Sequence, residues 1–220
     1  MYSKKKRLEK IKHIKNVSHI IGSEDTKIFL TKIKGTYLYY MLPYLDEYDI
    51  QHITYKLLII VKNLHNINIV HGDIKPENIM YDKYSGNITL IYFEHGRHTN
   101  KYISPELISN FDKFKNYKYI DIWSIGITIY ILLTKHHPYN NYKHLLSGLP
   151  YHSIINKGFS SECINFIETL LIFEYQIRPN INECLKHKWF NKFNIIKPLE
   201  ISNTSSNSFN KCKLLCCCIL

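Results

Sequence analysis

Apolar residues recur at helical spacing along much of the chain, and in the first such stretch they fall at every third position. This spacing predicts a helix over residues 8–21. The apolar face of this helix is formed by Leu8, Ile11, Ile14 and Val17. Further helices, one of them almost wholly apolar and therefore buried, are predicted at residues 50–66, 120–133, 162–173 and 181–189. The greater part of the chain is therefore predicted to be helical.

Shorter runs of β-branched and aromatic residues have the composition that predicts strands. They are found at residues 26–30, 35–44 and 87–93. The second run is rich in tyrosine, and Pro43 is expected to end it because proline lacks the N–H group that a strand donates. Few strands followed by many helices are typical of the α+β class, which we therefore predict.

The same patterns divide the chain into three segments. Residues 1–45 hold one helix and the first strands, and residues 46–198 are mostly helical. Serine and asparagine dominate the beginning of the last segment, residues 199–220, which ends in a cluster of cysteines. Because such a composition buries little apolar surface, we expect this segment to be a flexible tail.

The composition is that of a globular protein. At 220 residues the chain is long enough for one well-buried domain, and 45% of its residues are hydrophobic. The formal net charge of +11 favours anionic partners in general. The lysines are scattered, however, and no nucleic-acid-binding motif accompanies them, so we expect no nucleic-acid partner.

The sequence shows neither a signal peptide nor a membrane span. Its beginning lacks the apolar stretch of a signal peptide, and no apolar run approaches the roughly 18 residues of a span. The six cysteines have neither the spacing of a zinc site nor the distribution of a disulfide framework. These features predict a cytoplasmic protein.

The stretch with the most informative chemistry is residues 71–78, which read His-Gly-Asp-Ile-Lys-Pro-Glu-Asn. It brings an acid, a cation and an amide into one short loop. The carboxylate of Asp73 can orient a hydroxyl group and accept its proton, and the ammonium group of Lys75 can neutralise phosphate charge. The amide oxygen of Asn78 can coordinate a metal ion. Together these groups favour phosphoryl transfer.

This stretch resembles the catalytic loop of protein kinases, with Gly72 where the family usually has arginine. Four further motifs that resemble kinase motifs follow it in the family's order. The first comprises Thr99, Tyr102 and residues 104–106, and the second is residues 121–126. The third is Arg178 with Pro179, and the fourth is residues 187–190. Because an ordered set is far more specific than one motif, the chain is identified as a member of the protein kinase family, nearest the serine/threonine type.

The resemblance implies a kinase-like α+β fold and a role for each loop residue. Residues 1–45 would be what remains of the small lobe, and residues 46–198 would be the helical lobe. Asp73 would act as the base, Lys75 would bind phosphate, and Asn78 would bind Mg²⁺. Thr99 would form hydrogen bonds close to Asp73 and Lys75. A protein substrate or a protein partner is implied as well.

Other residues are expected, by the same resemblance, to support the fold without touching the substrate. Glu106 and Arg178 would form a buried ion pair. Asp121 would accept backbone N–H groups from the loop that carries His71. Phe93 would pack in the apolar interior, and this role does not depend on catalysis.

The residues that would contact ATP are expected in a strand before the helical lobe. Residues 39–45 align with the kinase strand whose backbone groups bind adenine. Pro43 keeps its carbonyl group and Leu45 keeps its N–H group, so these two residues are predicted to make the adenine contacts.

Three parts of a kinase are missing from the sequence. The 36 residues before Tyr37 contain no glycine-rich loop and no suitably placed lysine, so the first three strands of the small lobe are expected to be absent. Tyr92 stands where the family has its metal-binding aspartate, and a phenol is a poor Mg²⁺ ligand. Only five residues separate Phe93 from Thr99, where the family has a much longer segment.

These losses predict a pseudokinase that acts as a binding or scaffold module, with no cofactor. The alternative is an active serine/threonine kinase that uses ATP and Mg²⁺, with the metal held by Asn78 and, in a second alignment, by Glu94. A sequence that lacks an N-terminal part of the natural protein is a third interpretation, which would restore the missing lysine and leave Tyr92 in place.

The last four residues fit the prenylation pattern C-a-a-X, in which Cys217 would carry the lipid. Cys212 and Cys216 are candidates for a second acyl chain. Because one chain binds a membrane only marginally and two signals bind it stably, the tail predicts a membrane-anchored form of the protein.

Overall fold

A computed structural model describes residues 2–24, 27–93, 99–109, 116–140, 145, 154 and 157–191. Its helices are α1 (Tyr2–Lys10), α2 (Leu38–Met41), α3 (Glu47–Asn66), α4 (Pro105–Ser109), α5 (Lys118–Thr134), α6 (Ser161–Leu170) and α7 (Ile181–Leu185). Its strands are β1 (Ile20–Glu24), β2 (Lys27–Leu30), β3 (Thr36–Tyr37), β4 (Ile79–Asp82) and β5 (Asn87–Leu90). Short 3-10 helices cover Leu42–Tyr44, Pro76–Asn78, Asn100–Tyr102 and Lys188–Phe190.

The strands form two small antiparallel sheets. β1 pairs with β2 in a hairpin, and β4 pairs with both β3 and β5. The segment between α1 and β1 joins the second sheet, because Ser18 N donates to Leu90 O at 3.0 Å and Leu90 N donates to Asn16 O at 2.9 Å. The segment just before the hairpin is therefore bonded directly to the second sheet.

The first helix is shorter than the apolar spacing predicts. α1 ends at Lys10, and Asn16 has a φ of 63°, a left-handed conformation that interrupts a helix. Residues 20 and 21, which we assigned to the helix, belong to β1. The four apolar side chains of the predicted face are nevertheless all buried, because the turns after α1 follow the same core surface.

The strand prediction for residues 35–44 is largely wrong. Only Thr36–Tyr37 is extended, and α2 and a 3-10 helix follow it. Leu38 and Leu42, four residues apart, are buried, whereas Tyr40 is 63% exposed. Burial at a spacing of four residues is typical of a helix, whereas a strand would bury every second residue.

The strand to which we assigned the adenine contacts of Pro43 and Leu45 is therefore not formed, and the contacts themselves stay a prediction. Pro43 is an exposed residue of the 3-10 helix, and Leu45 follows directly after it. The strand directly before the helical part is the two-residue β3, and residues 31–35 connect it to β2. Gly35 is required in this connection: its φ is 110°, and a Cβ atom would lie 2.4 Å from the carbonyl oxygen of Tyr81.

The long helices form the main core much as the sequence predicts. α3 begins three residues before the predicted start, because Asp46 and Asp49 form a capping box in which Asp49 N donates to Asp46 Oδ1 at 2.8 Å. α5 is buried along almost its whole length and packs against α3 and α6. α6 and α7 end before the predicted boundaries, at Leu170 and Leu185.

No helix in the described part of the chain combines the length and the apolar character that a membrane span needs. The tail cysteines Cys212, Cys216 and Cys217 lie outside the described residues. Their lipidation stays a prediction.

Candidate active site

The loop at residues 71–78 is held in shape by one buried carboxylate. Asp121, in the first turn of α5, is 0% exposed. It accepts the backbone N–H groups of His71 at 2.9 Å and Gly72 at 2.8 Å, and a bond from His65 Nε2 at 2.9 Å. Burial alone would raise the pKa of Asp121, but the bonds and charges of these partners outweigh burial and lower it.

His71 lies at the start of the loop in a neutral form that its partners define. Its Nδ1 accepts the N–H group of Asp73 at 3.2 Å, so Nδ1 carries no proton. Its Nε2 donates to the carbonyl oxygen of Ile91 at 3.0 Å, and its ring meets the edge of Phe93 with centroids 4.8 Å apart. Burial lowers the pKa of His71, more strongly than the nearby Asp121 raises it.

The neutral state of His71 predicts that acid destabilises the protein well before the carboxylates titrate. Below pH 6.5 or so the unfolded chain protonates this imidazole, while the folded state resists because Nδ1 accepts a bond. The unfolded state then binds more protons, so the free energy of unfolding should fall as the pH drops from about 6.5 to about 5, by at most about 1.4 kcal/mol per pH unit. Urea unfolding measured across this interval is the test.

Two variants separate His71 from the other histidines in that measurement. His71→Gln should reduce the slope of the unfolding free energy against pH, because one buried group that resists protonation in the folded state is gone. His13→Gln removes an exposed imidazole and should leave the slope close to the wild-type value. Equal slopes in the wild type and in His71→Gln would contradict the assignment.

The predicted catalytic residues come together in one hydrogen-bond network. Asp73 Oδ1 accepts the hydroxyl of Thr99 at 2.7 Å and its N–H group at 3.1 Å. Asp73 Oδ2 accepts Lys75 Nζ and Asn78 Nδ2, each at 2.9 Å. Asn78 Nδ2 also donates to the carbonyl oxygen of Asp73 at 2.7 Å, and Lys75 Nζ donates to Thr99 Oγ1 at 2.5 Å.

This network fixes the charge of Asp73. Partial burial would raise the pKa of its carboxyl group, but the bonds from Thr99 and Lys75 outweigh burial and lower it. Asp73 is therefore an ionised acceptor, held in one orientation at the surface of the loop. Such a group can accept the proton of a bound hydroxyl.

Arg7 is a contributor to the site that the sequence analysis missed. Its guanidinium group reaches from α1 to the carbonyl oxygens of Val70 and His71, the latter at 3.3 Å. Burial lowers the pKa of Arg7, while the charge of Asp121 opposes this shift. One feature of the sequence could have indicated this role. Arg7 lies four residues before the buried Ile11, so the two side chains would share the core-facing side of a helix.

The described residues do not fit a Mg²⁺ site of the kind that the resemblance implies. Tyr92 has a left-handed φ of 61°, its side chain is 42% exposed, and its hydroxyl lies 3.4 Å from that of Tyr37. No group of three or more His, Cys, Asp or Glu side chains in the described part of the chain could hold a metal ion. Glu94, the alternative ligand, lies outside the described residues, and Asn78 remains as the amide ligand.

Glu106 and Arg178 form a buried, bidentate ion pair. Arg178 Nη1 lies 2.8 Å from Glu106 Oε1, and Nη2 lies 3.0 Å from Oε2. The same guanidinium donates to the carbonyl oxygens of Tyr119 at 2.9 Å and Ile172 at 3.0 Å. It also lies over the ring of Trp123, 5.0 Å from the centroid. The pair therefore ties α4 to α5 and to the chain after α6.

Comparison with known proteins identifies the family. The family model described as "Protein kinase domain" matches residues 5–190. "Probable serine/threonine-protein kinase fhkB" of Dictyostelium discoideum is 33% identical over 170 residues, 66% of this chain and 14% of that protein. "Serine/threonine-protein kinase 17A" of Oryctolagus cuniculus is 30% identical over 175 residues, 70% of this chain and 43% of that protein. The chain thus spans less than half the length of these relatives.

Solved structures show the same fold. The crystal structure of Rad53 1-466 in complex with AMP-PNP has a TM-score of 0.75 and 24% identity, covering 86% of this chain and 55% of that one. The structure of the Rad53 kinase domain and SCD2 has the same TM-score and 22% identity, covering 92% and 82%. These likenesses confirm the predicted kinase-like α+β fold. The family match over most of its length shows that this chain belongs to the protein kinase family.

Proposed function

We propose that this chain is a kinase-fold binding or scaffold module that does not transfer phosphate. The observation that carries the proposal is Tyr92. A phenol stands where the family resemblance places the metal-binding carboxylate, and its hydroxyl faces Tyr37. Because phosphoryl transfer depends almost wholly on positioning and charge neutralisation, losing the metal ligand removes a large part of the catalytic effect.

The remaining loop is consistent with a structural role. Both oxygens of Asp73 accept bonds from within the protein, and the Asn78 amide nitrogen donates to the carboxylate and to the backbone carbonyl of Asp73. This closed network stabilises the surface of the helical lobe without any ligand. A surface of fixed shape is what a protein partner would bind.

A second candidate function is serine/threonine phosphotransfer, which the intact loop favours. In this reading Asp73 accepts the proton of a substrate hydroxyl and Lys75 neutralises the charge of the transferred phosphate. The metal ligands would be Asn78 and Glu94. Both Rad53 structures contain AMP-PNP, which makes ATP the nucleotide to test.

The experiment is phosphotransfer from radiolabelled ATP to a mixture of generic protein substrates, with and without Mg²⁺. We expect the wild-type rate to equal that of Asp73→Asn, because the charge neutralisation that makes Asp73 useful is missing. Magnesium-dependent turnover that Asp73→Asn abolishes would overturn the proposal. If Glu94→Gln abolished the same turnover, the second candidate would be established.

Thermal unfolding with ATP provides the matched test of Tyr92. Any ligand that binds the native state raises its melting temperature. In the wild type and in Tyr92→Phe, adding Mg²⁺ should not increase the shift produced by ATP. In Tyr92→Asp, which restores the missing carboxylate, it should. A magnesium-dependent shift already present in Tyr92→Phe would show that the metal is held elsewhere.

A further inference from the structure

The two peptide units between Val70 and Gly72 are held from opposite sides. On one side, Asp121 accepts the N–H groups of His71 at 2.9 Å and Gly72 at 2.8 Å. On the other side, Arg7 donates to the carbonyl oxygens of Val70 and His71, the latter at 3.3 Å. Val70 O and His71 N belong to the first peptide unit, and His71 O and Gly72 N belong to the second. Each unit therefore has one support on its carbonyl side and one on its N–H side.

The charges of the two supports match the polarity of these peptide units. A carbonyl oxygen carries partial negative charge and an N–H group carries partial positive charge, so a cation on the first side and an anion on the second are both attracted. The opposite charges of Arg7 and Asp121 are thus separated by the peptide units that they hold. Burial lowers the pKa of Arg7 and the charge of Asp121 opposes this shift, so the two residues also act on each other across the loop.

The packing of α1 places Arg7 against the loop. Leu8 and Ile11, on the same helix and in the turn after it, are buried in the main core. In the described part of the chain the Nε–H group of Arg7 is buried without a hydrogen-bond partner. Because an unused buried donor costs free energy, the bonds to the two carbonyl oxygens and the charge of Asp121 are what favour the guanidinium group in this place.

The orientation of these peptide units also determines how Asp73 is presented. The ring of His71 accepts the N–H group of Asp73 at Nδ1, at 3.2 Å, and donates from Nε2 to Ile91 O at 3.0 Å. The ring can make both bonds only if the backbone of His71 is held in one position. The position of Asp73 therefore depends, through His71, on the supports of the preceding backbone.

We propose that Arg7 is a positioning residue, which acts with Asp121 as a two-sided clamp on the loop at residues 71–78. The clamp joins α1 to α5 through the loop, so the loop keeps its shape only while α1 is docked. Neither support can replace the other, because one holds carbonyl oxygens and the other holds N–H groups. The inference holds whether the loop binds a partner or transfers phosphate, since it concerns only the shape of the loop.

Hydrogen exchange on the full chain tests the clamp at the loop itself. In Arg7→Met the amides of His71 and Gly72 should exchange about tenfold faster than in the wild type, or more. This increase is counted beyond that of the Ile127 amide, which lies in the buried centre of α5 and reports global opening. Lys6→Met removes the same charge from the exposed neighbouring side chain and should leave both loop amides unchanged.

A conservative variant separates the charge of Arg7 from its shape. Arg7→Lys keeps the positive charge but lacks the planar fork that reaches two carbonyl oxygens at once. Exchange at His71 and Gly72 should therefore be faster than in the wild type and slower than in Arg7→Met. Because lysine keeps the charge and most of the aliphatic stem, Arg7→Lys should fold even if Arg7→Met does not, and its faster exchange then tests the clamp by itself.

The titration of His71 provides a readout that a loss of packing would not change. Burial lowers the pKa of His71 most, Asp121 and Asp73 raise it, and the charge of Arg7 lowers it further. Arg7→Met should therefore raise the pKa of His71 in the folded protein toward its unfolded value. The slope of the unfolding free energy against pH, below about pH 6.5, should then be smaller than in the wild type. Arg7→Lys and Lys6→Met should keep the wild-type slope.

A double-mutant cycle measures the coupling between the two supports. Urea unfolding at neutral pH is compared for Arg7→Met, Asp121→Asn and the variant that carries both. Because the two residues hold the same peptide units, the loss of stability in the double variant should be clearly smaller than the sum of the single losses. Lys6→Met combined with Asp121→Asn should lose that sum.

Three results would overturn the proposal. The first is equal exchange at His71 and Gly72 in the wild type, in Arg7→Lys and in Arg7→Met. The second is a slope against pH that is the same in Arg7→Met and in Lys6→Met. The third is an additive cycle between Arg7 and Asp121, which would make the two supports independent.

Discussion

Replacing Glu106 with glutamine should lower the free energy of unfolding by about 3–5 kcal/mol, the largest effect that we expect from a single substitution. The reason is the guanidinium group of Arg178, whose side chain is fully buried. Its bonds to the carbonyl oxygens of Tyr119 and Ile172 hold it in place but cannot neutralise it. A neutral amide at position 106 would leave a buried charge without a counterion.

Urea unfolding of purified Glu106→Gln measures this loss. Glu174→Gln removes the same charge from an exposed side chain after α6 and is the matched control, with an expected change of about 0.5 kcal/mol or less. The double variant Glu106→Leu/Arg178→Met, which removes both charges, should recover part of the stability. If Glu106→Gln were as mild as Glu174→Gln, the pair would not hold the fold.

Asp121→Asn should have the second largest effect, a loss of about 3 kcal/mol, accompanied by loosening of the loop. The carboxylate accepts from His71 N, Gly72 N and His65 Nε2 at the same time. An asparagine has one acceptor oxygen, and its NH2 group would face one of these donors. At least one buried N–H group would then lose its partner.

Two measurements separate the local and the global parts of this effect. Urea unfolding gives the loss of stability, and hydrogen exchange should show faster exchange at the amides of His71 and Gly72 than the global loss explains. Asp82→Asn, at the end of β4, is the control and should leave these two amides unaffected. Unchanged exchange at His71 and Gly72 in Asp121→Asn would contradict the anchoring role.

The catalytic loop and its supports could be found from sequence because their residue types are tied to short, ordered motifs. The structure brings together Asp73, Lys75, Asn78 and Thr99, although Thr99 is 26 residues away from Asp73 along the chain. Asp121 also contacts the loop that the resemblance assigned to it. These positions were accessible because a motif fixes both the residue and its place in the order of the chain.

Other parts of the site could not be predicted from sequence, for reasons that lie in packing. Arg7 follows three consecutive lysines, a composition typical of a solvated surface, and only the docking of α1 turns its guanidinium toward the loop. Tyrosine-rich residues 35–44 have strand composition, yet the burial of Leu38 and Leu42 selects a helix. Pro43 and Leu45, to which we assigned the adenine contacts, therefore do not lie in a strand.

The sequence by itself determined the family, the long helices α3 and α5, and the identity of the loop residues. Hydrophobic period and motif order are local properties, and they survive without knowledge of the fold. Only the tertiary structure decided where α1 ends, that Arg7 reaches the loop, and that Tyr92 faces Tyr37. These depend on contacts between distant segments, whose free energies outweigh the weak local preferences of the chain.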